Sequence, residues 1–186
     1  MPWIHWDNWQ MRGIRQGWLL VCAVMLGACA PALDWREFRA DEGAFGVLMP
    51  QRPSQAERKL VTPAGEVTMK MYSVRVDETV LGAGFADFAS PPDAATQAAM
   101  QAALLKNLDG TVISDKPVGS GVPGMPAGRE VVKRGLLGQG TASVPGELRA
   151  RFYVRDNRYY QLVVIGRQGA LPEADIDMFM VSLKPG

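Results

Sequence analysis

Positions 149, 151, 153 and 155 carry Arg, Arg, Tyr and Arg, and Arg158 and Tyr160 follow a short way on. Side chains two apart in an extended strand share one face. This spacing therefore gathers guanidinium and phenol groups into a patch once the chain turns back at Asp156-Asn157. Guanidinium forks bind carboxylate or phosphate bidentately, and with aromatic neighbours they anchor protein interfaces. The six residues form a candidate binding face for an acidic polymer or a protein. The competing reading is a solvated antiparallel sheet face, where arginines are ordinary.

Other residues invite chemistry with less force. Asp87, Glu130 and Glu147 are the acids to consider for general acid-base work, but nothing in their spacing marks the pair of carboxylates that glycoside hydrolysis needs. Met69 and Met71 put two thioethers on one strand face, which suits Cu(I) in principle and a sheet core in practice. Gly119-Ser120-Gly121-Val122-Pro123-Gly124 matches a dinucleotide fingerprint in letters alone. Pro123, Pro126 and a β-like run stand where that fingerprint requires a helix.

The N-terminal end is more specific. Arg12 and Arg15 precede an apolar run over 17–25, which ends in Leu26-Gly27-Ala28-Cys29. The run is shorter than the ~20 apolar residues a membrane span needs. The whole has the three-part layout of an export signal, complete from either Met1 or Met11. Its last four residues resemble the lipobox of bacterial lipoproteins. The resemblance implies that Cys29 receives a diacylglyceryl group, that residues 1–28 are removed, and that the new amine is acylated. More than one chain is needed for stable anchoring. Ala30, where an aspartate would imply retention in the inner membrane, points to the outer membrane facing the periplasm.

Cleavage at Cys29 would take His5 and Cys22 with it, leaving no histidine and no thiol besides the lipidated one. Zinc sites of Cys and His, Ser-His-Asp or Cys-His catalysis, a histidine pH switch and an intrachain disulfide then have no residues to be built from. The discarded segment holds Arg12, Arg15 and Asp7, so the remaining charges balance, against a role in nucleic-acid binding. No metal and no cofactor is expected. Residues 29–34 form a short tether; its five residues after Cys29, fully extended, reach about 17 Å, which keeps the domain near the membrane. Residues 35–186 are enough for one domain with a core.

The elements that position the arginines read as strands, a helix, more strands and a last helix. Phe45, Val47 and Met49 alternate and stop at Pro50. Val67, Met69 and Met71 alternate until Val74 and Val76 take over, which predicts a bulge near Ser73. A glycine-bearing strand follows over 80–88, after the turn Asp77-Glu78. Ser90 with Asp93 has capping-box spacing, and the alanine-rich run to Leu108 predicts a helix with Met100, Leu104 and Leu108 on one face, ended by Asp109-Gly110. Strands are predicted over 111–118, 128–137, 148–155 and 159–165, the last two joined as a hairpin. Pro172 opens a helix whose stripe Ile176, Phe179, Met180 and Leu183 packs on the sheet.

This order gives an α+β sandwich: a mostly antiparallel sheet of about six to eight strands, with two helices covering a face of it. The stretch from Gly43 to Pro50, the middle helix, Gly128-Arg129-Glu130, the strand from Arg158 to Leu162 and the closing Phe179 to Leu183 resemble the PsbP-like group of sandwich domains. The resemblance implies a non-enzymatic role, since that group comprises accessory subunits, a partner of a small GTPase and envelope lipoproteins, and it carries no catalytic residues over. The expectation is a lipid-anchored envelope protein, not an enzyme, that binds another envelope protein or an acidic envelope polymer. The alternatives are a carrier of a small apolar ligand held between sheet and helix, suggested by the flexible methionines, and a carboxylate-dependent hydrolase.

Overall fold

In the computed structural model the described residues are 33–43, 45–119, 121, 124–138 and 143–186. The signal segment, Cys29 and the tether as far as Ala32 lie outside them, as do Ser120, Val122 and Pro123. The elements are β1 (Arg36–Ala40), β2 (Phe45–Met49), β3 (Ser54–Thr62), β4 (Gly65–Val76), β5 (Thr79–Asp87), α1 (Ala94–Leu105), β6 (Asp109–Val118), β7 (Gly128–Leu137), β8 (Val144–Arg155), β9 (Arg158–Arg167), α2 (Glu173–Met180) and β10 (Lys184–Pro185).

Seven strands form an antiparallel sheet in the order β3-β4-β5-β9-β8-β7-β6, and β1-β2-β10 form a second, small one. Tight turns explain most neighbours: β4 to β5 turns at Asp77 with φ 49°, and β8 to β9 at Asp156 with φ 55°, a left-handed conformation that aspartate tolerates. The one long excursion runs from β5 through α1 to the far edge at β6. The chain then returns strand by strand until β9 pairs with β5. The fold is α+β, as the patterning predicts.

α1 covers one face of the large sheet. Met100, Leu104 and Leu108 are buried there against Val67, Met69, Val131, Leu148 and Phe152, each fully buried aliphatic side chain contributing about 1.5–3 kcal/mol of transfer free energy. The opposite face carries the small sheet and α2. Phe45 makes edge contacts with Tyr72, Phe85 and Tyr160 at 6.1, 6.1 and 5.9 Å. Ser182 joins α2 to β2, its hydroxyl donating to the Phe179 carbonyl at 2.7 Å and accepting from Leu48 N at 3.0 Å. The two helices thus lie on opposite faces, where the sequence reading placed both on one.

Four other details differ from the sequence reading. The pairing of β4 with both neighbours is continuous, so there is no bulge at Ser73. Instead Val67 and Met69 point to α1 while Tyr72 and Val74 point to the small sheet, and the alternation changes because the covered face changes. α1 is capped by Asp93, which accepts from Thr96 N at 2.8 Å, and not by Ser90. Pro91 and Pro92 hold the backbone there extended and supply no N–H for a cap to bind. The helix ends at Leu105, where Asn107 Nδ2 donates to the Leu104 carbonyl, and Asp109-Gly110 already belong to β6. Finally β1, β3 and β10 add to the predicted strands, giving ten among the described residues.

Candidate functional site

The arginines and tyrosines share one face, as their spacing requires. β8 pairs with β9 so that Tyr153 opposes Tyr160 and Arg155 opposes Arg158. That face is the one covered by α2 and the small sheet, so the solvated face of the sequence reading is replaced by a largely buried layer. Arg149, with 16% of its side chain exposed, reaches Glu173 at 2.5 Å and Asp177 at 3.4 Å on α2, and Glu147 at 3.4 Å on its own strand. Burial works to lower its pKa, but the hydrogen bond and charge of Glu173, with Glu147 and Glu130, outweigh it and raise it. Arg151 gives Nε to Glu130 at 2.6 Å and Nη1 to the Met180 carbonyl at 3.2 Å. Glu130 is 5% exposed and also takes Lys116 at 3.3 Å. Burial pushes its pKa up, yet Arg151 and Lys116 together leave it below the ordinary carboxylate value.

Tyr153 and Tyr160 are buried, and the Tyr160 hydroxyl donates to the Gly43 carbonyl at 3.4 Å. Burial raises the pKa of Tyr153 against the opposing pull of Arg151. Arg155, Arg158 and Tyr160 line an open cleft of about 310 Å³ beside Asp87 and Asn157. Arg158 pairs with Asp87 and lies 5.0 Å above the Phe85 ring. Arg155 keeps looser company, with Asp156 at 3.9 Å and the Gly186 carbonyl at 3.5 Å. The six-residue patch is therefore two things: Arg149 and Arg151 hold α2 to the sheet, and Arg155 and Arg158 edge an open cleft.

The acids considered for catalysis are all ion-paired. Asp87 holds Arg158, Glu130 holds Arg151, and Glu147 holds Arg134 at 2.8 Å. Among the described residues no group of three or more His, Cys, Asp or Glu is placed to hold a metal ion. The described parts of the glycine-rich hexapeptide are loop, and the strand β7 follows, not a helix.

The other face holds a feature that motif reading passes over. Beside α1, where the helix leaves the β3–β4–β5–β9 end of the sheet partly open, lies an apolar groove of about 250 Å³. Met69, Met71 and Met100 line it together with Leu104, Val163 and Ile165. Its floor is low at Gly82 of β5, and Gly84, two residues on, makes room for the Met71 side chain. A Cβ at Gly84 would lie 2.2 Å from Met71 Sδ and 2.4 Å from the Lys70 carbonyl, and one at Gly82 would lie 3.1 Å from Met71 Cε and 3.2 Å from Val163 Cγ1. Glycine inside a strand marks a close approach of this kind. Four of the lining side chains are polar, Arg58, Ser73, Asn107 and Gln161; of these Gln161, 5% exposed, donates its amide N–H to Met71 Sδ at 3.1 Å.

No family model and no curated protein matches this chain. Among the described residues no helix is long and apolar enough to cross a membrane. The groove needs residues that the sequence reading did not use: Arg58 and Leu60 in a strand it missed, and Gln161. The glycines of β5 were the available signal. Two in one strand, two residues apart, leave one face bare.

Proposed function

We propose that this chain is a lipid-anchored protein of the bacterial envelope with a non-catalytic, PsbP-like sandwich domain, and that the domain holds a small apolar ligand between α1 and the sheet. The observation that carries the reading is the methionine-lined groove over Gly82. Ligand sites are typically apolar concavities with a few polar groups that set orientation, and unbranched thioether side chains adapt to varied apolar shapes. The lipobox pattern at Cys29 and the short segment behind it support the anchor, and Ala30 supports the outer membrane. The ion pairs of Asp87, Glu130 and Glu147 suit structural work better than proton transfer.

The test is native mass spectrometry of the full-length protein taken from cells in nanodiscs. The reading expects a co-purified small molecule on the wild type and its loss from Gly82→Leu, whose side chain would occupy the groove. Bare protein in both preparations would end it.

Docking of an envelope protein or acidic polymer is a second reading, and the open cleft at Arg155 and Arg158 favours it. It expects Arg155→Glu to lose in vivo crosslinks to an envelope component at an unchanged melting temperature. Unaltered crosslinks would remove it.

A further inference from the structure

The groove has a mouth as well as a floor. Arg58 on β3 pairs in register with Met69, so its side chain stands on the α1 face and lines the groove. Among the described residues its guanidinium has no ion-pair or hydrogen-bond partner, although most of the other arginines of the domain are engaged. None of the groove's lining residues is acidic. A free cation therefore sits beside a mostly apolar concavity that holds no acid.

From this arrangement we infer that the ligand is an amphiphilic anion: a short aliphatic chain lying over Gly82, with its negative head at Arg58. The inference rests on the groove being a ligand site and adds the charge and polarity of what it takes. The chain supplies the apolar area that Met69, Met71, Met100 and Val163 leave uncovered. At about 30 Å³ per water-sized group, the volume of about 250 Å³ takes about eight such groups, the size of a medium-length alkyl chain. The head stays at the rim, where Arg58 is exposed and the anion keeps part of its hydration.

The probes are octanoate and octanol, titrated calorimetrically into the full-length protein in nanodiscs, with Gly82→Leu and Ser73→Leu in the same lipid as controls for partitioning. Ser73 lies across from Gly82 at the rim, so its leucine variant blocks the groove without touching the floor. The expected result is saturable binding of both probes that either blocking variant removes. Arg58→Ala should weaken octanoate about three- to five-fold, the scale of a solvent-exposed ion pair, and leave octanol unchanged. If Arg58→Ala alters neither probe while the blocking variants still remove both, the anionic head is refuted and the apolar carrier stands. If binding of both probes survives both blocking variants, or is absent from the wild type, the carrier reading and the inference fall together.

Discussion

Arg151→Ala separates a structural arginine from a binding one. In the folded protein Arg151 holds the buried Glu130 carboxylate at 2.6 Å and the Met180 carbonyl at 3.2 Å, with 14% and 6% of the two side chains exposed. Truncation leaves Glu130 charged under α2 with only Lys116, itself largely exposed, at 3.3 Å. It also takes a donor from the last residue of the helix. Removing one partner of a buried pair costs about 3–5 kcal/mol, and the surviving lysine places the loss near the lower end, about 3 kcal/mol. Against a domain stability of about 5–15 kcal/mol, that is a large fraction, and urea unfolding followed by circular dichroism measures it. Replacing both partners, as Glu130→Leu with Arg151→Met, should return stability to within about 1 kcal/mol of the wild type, because nothing charged is left buried. The pH dependence has a definite sign. Glu130 is held below its ordinary value of 4.5, so the stability it contributes is present above that pH and is lost as the pH falls through its depressed folded value. The gap between wild type and Arg151→Ala should therefore narrow below pH 4.5. A loss under about 0.5 kcal/mol at pH 7, or a gap that widens in acid, refutes the assignment of Arg151 to holding the fold.

Three further outcomes follow from the same description. Cys29→Ala should leave a longer, uncleaved precursor that takes up no labelled palmitate; a processed or labelled product would refute the lipobox. Gly84→Val should destabilise by about 1–3 kcal/mol, the usual cost of overpacking, since its Cβ would meet the Lys70 carbonyl at 2.4 Å. Gly82→Ala should be milder than Gly84→Val, since its contacts of 3.1 and 3.2 Å are with side chains, the flexible Met71 Cε and Val163 Cγ1, and not with backbone. Equal melting temperatures for Gly84→Val and the wild type would contradict this account of the groove floor.

The apolar strands bounded by turns are legible in the sequence: β2, β7, and β8 with β9 stand where the patterns put them, β2 and β9 being buried on both faces. β3 is not, since its Ser54–Thr62 stretch is an edge strand with nearly every residue exposed, held by backbone pairing to β4 and by charge, as in the ion pair of Lys59 with Glu66. A polar edge strand has no hydrophobic period to read. The change of face along β4 imitates a bulge for the same reason, because sequence shows that the buried parity changes but not which layer causes it. The arginine face was legible as a face; that α2 would lie across it depends on the helix stripe choosing that side of the sheet. The groove was the least legible feature, being made of residues distant in sequence and of two glycines whose meaning is the absence of side chains.

The most direct test of an apolar site between α1 and the sheet is methyl NMR of the full-length protein in nanodiscs, labelled at methionine and titrated with octanol. The account predicts saturable shifts at Met69, Met71 and Met100, which line the groove, with Met49 and Met180, buried on the opposite face, unmoved. Shifts at Met49 and Met180 with none at Met69 and Met71 would contradict it.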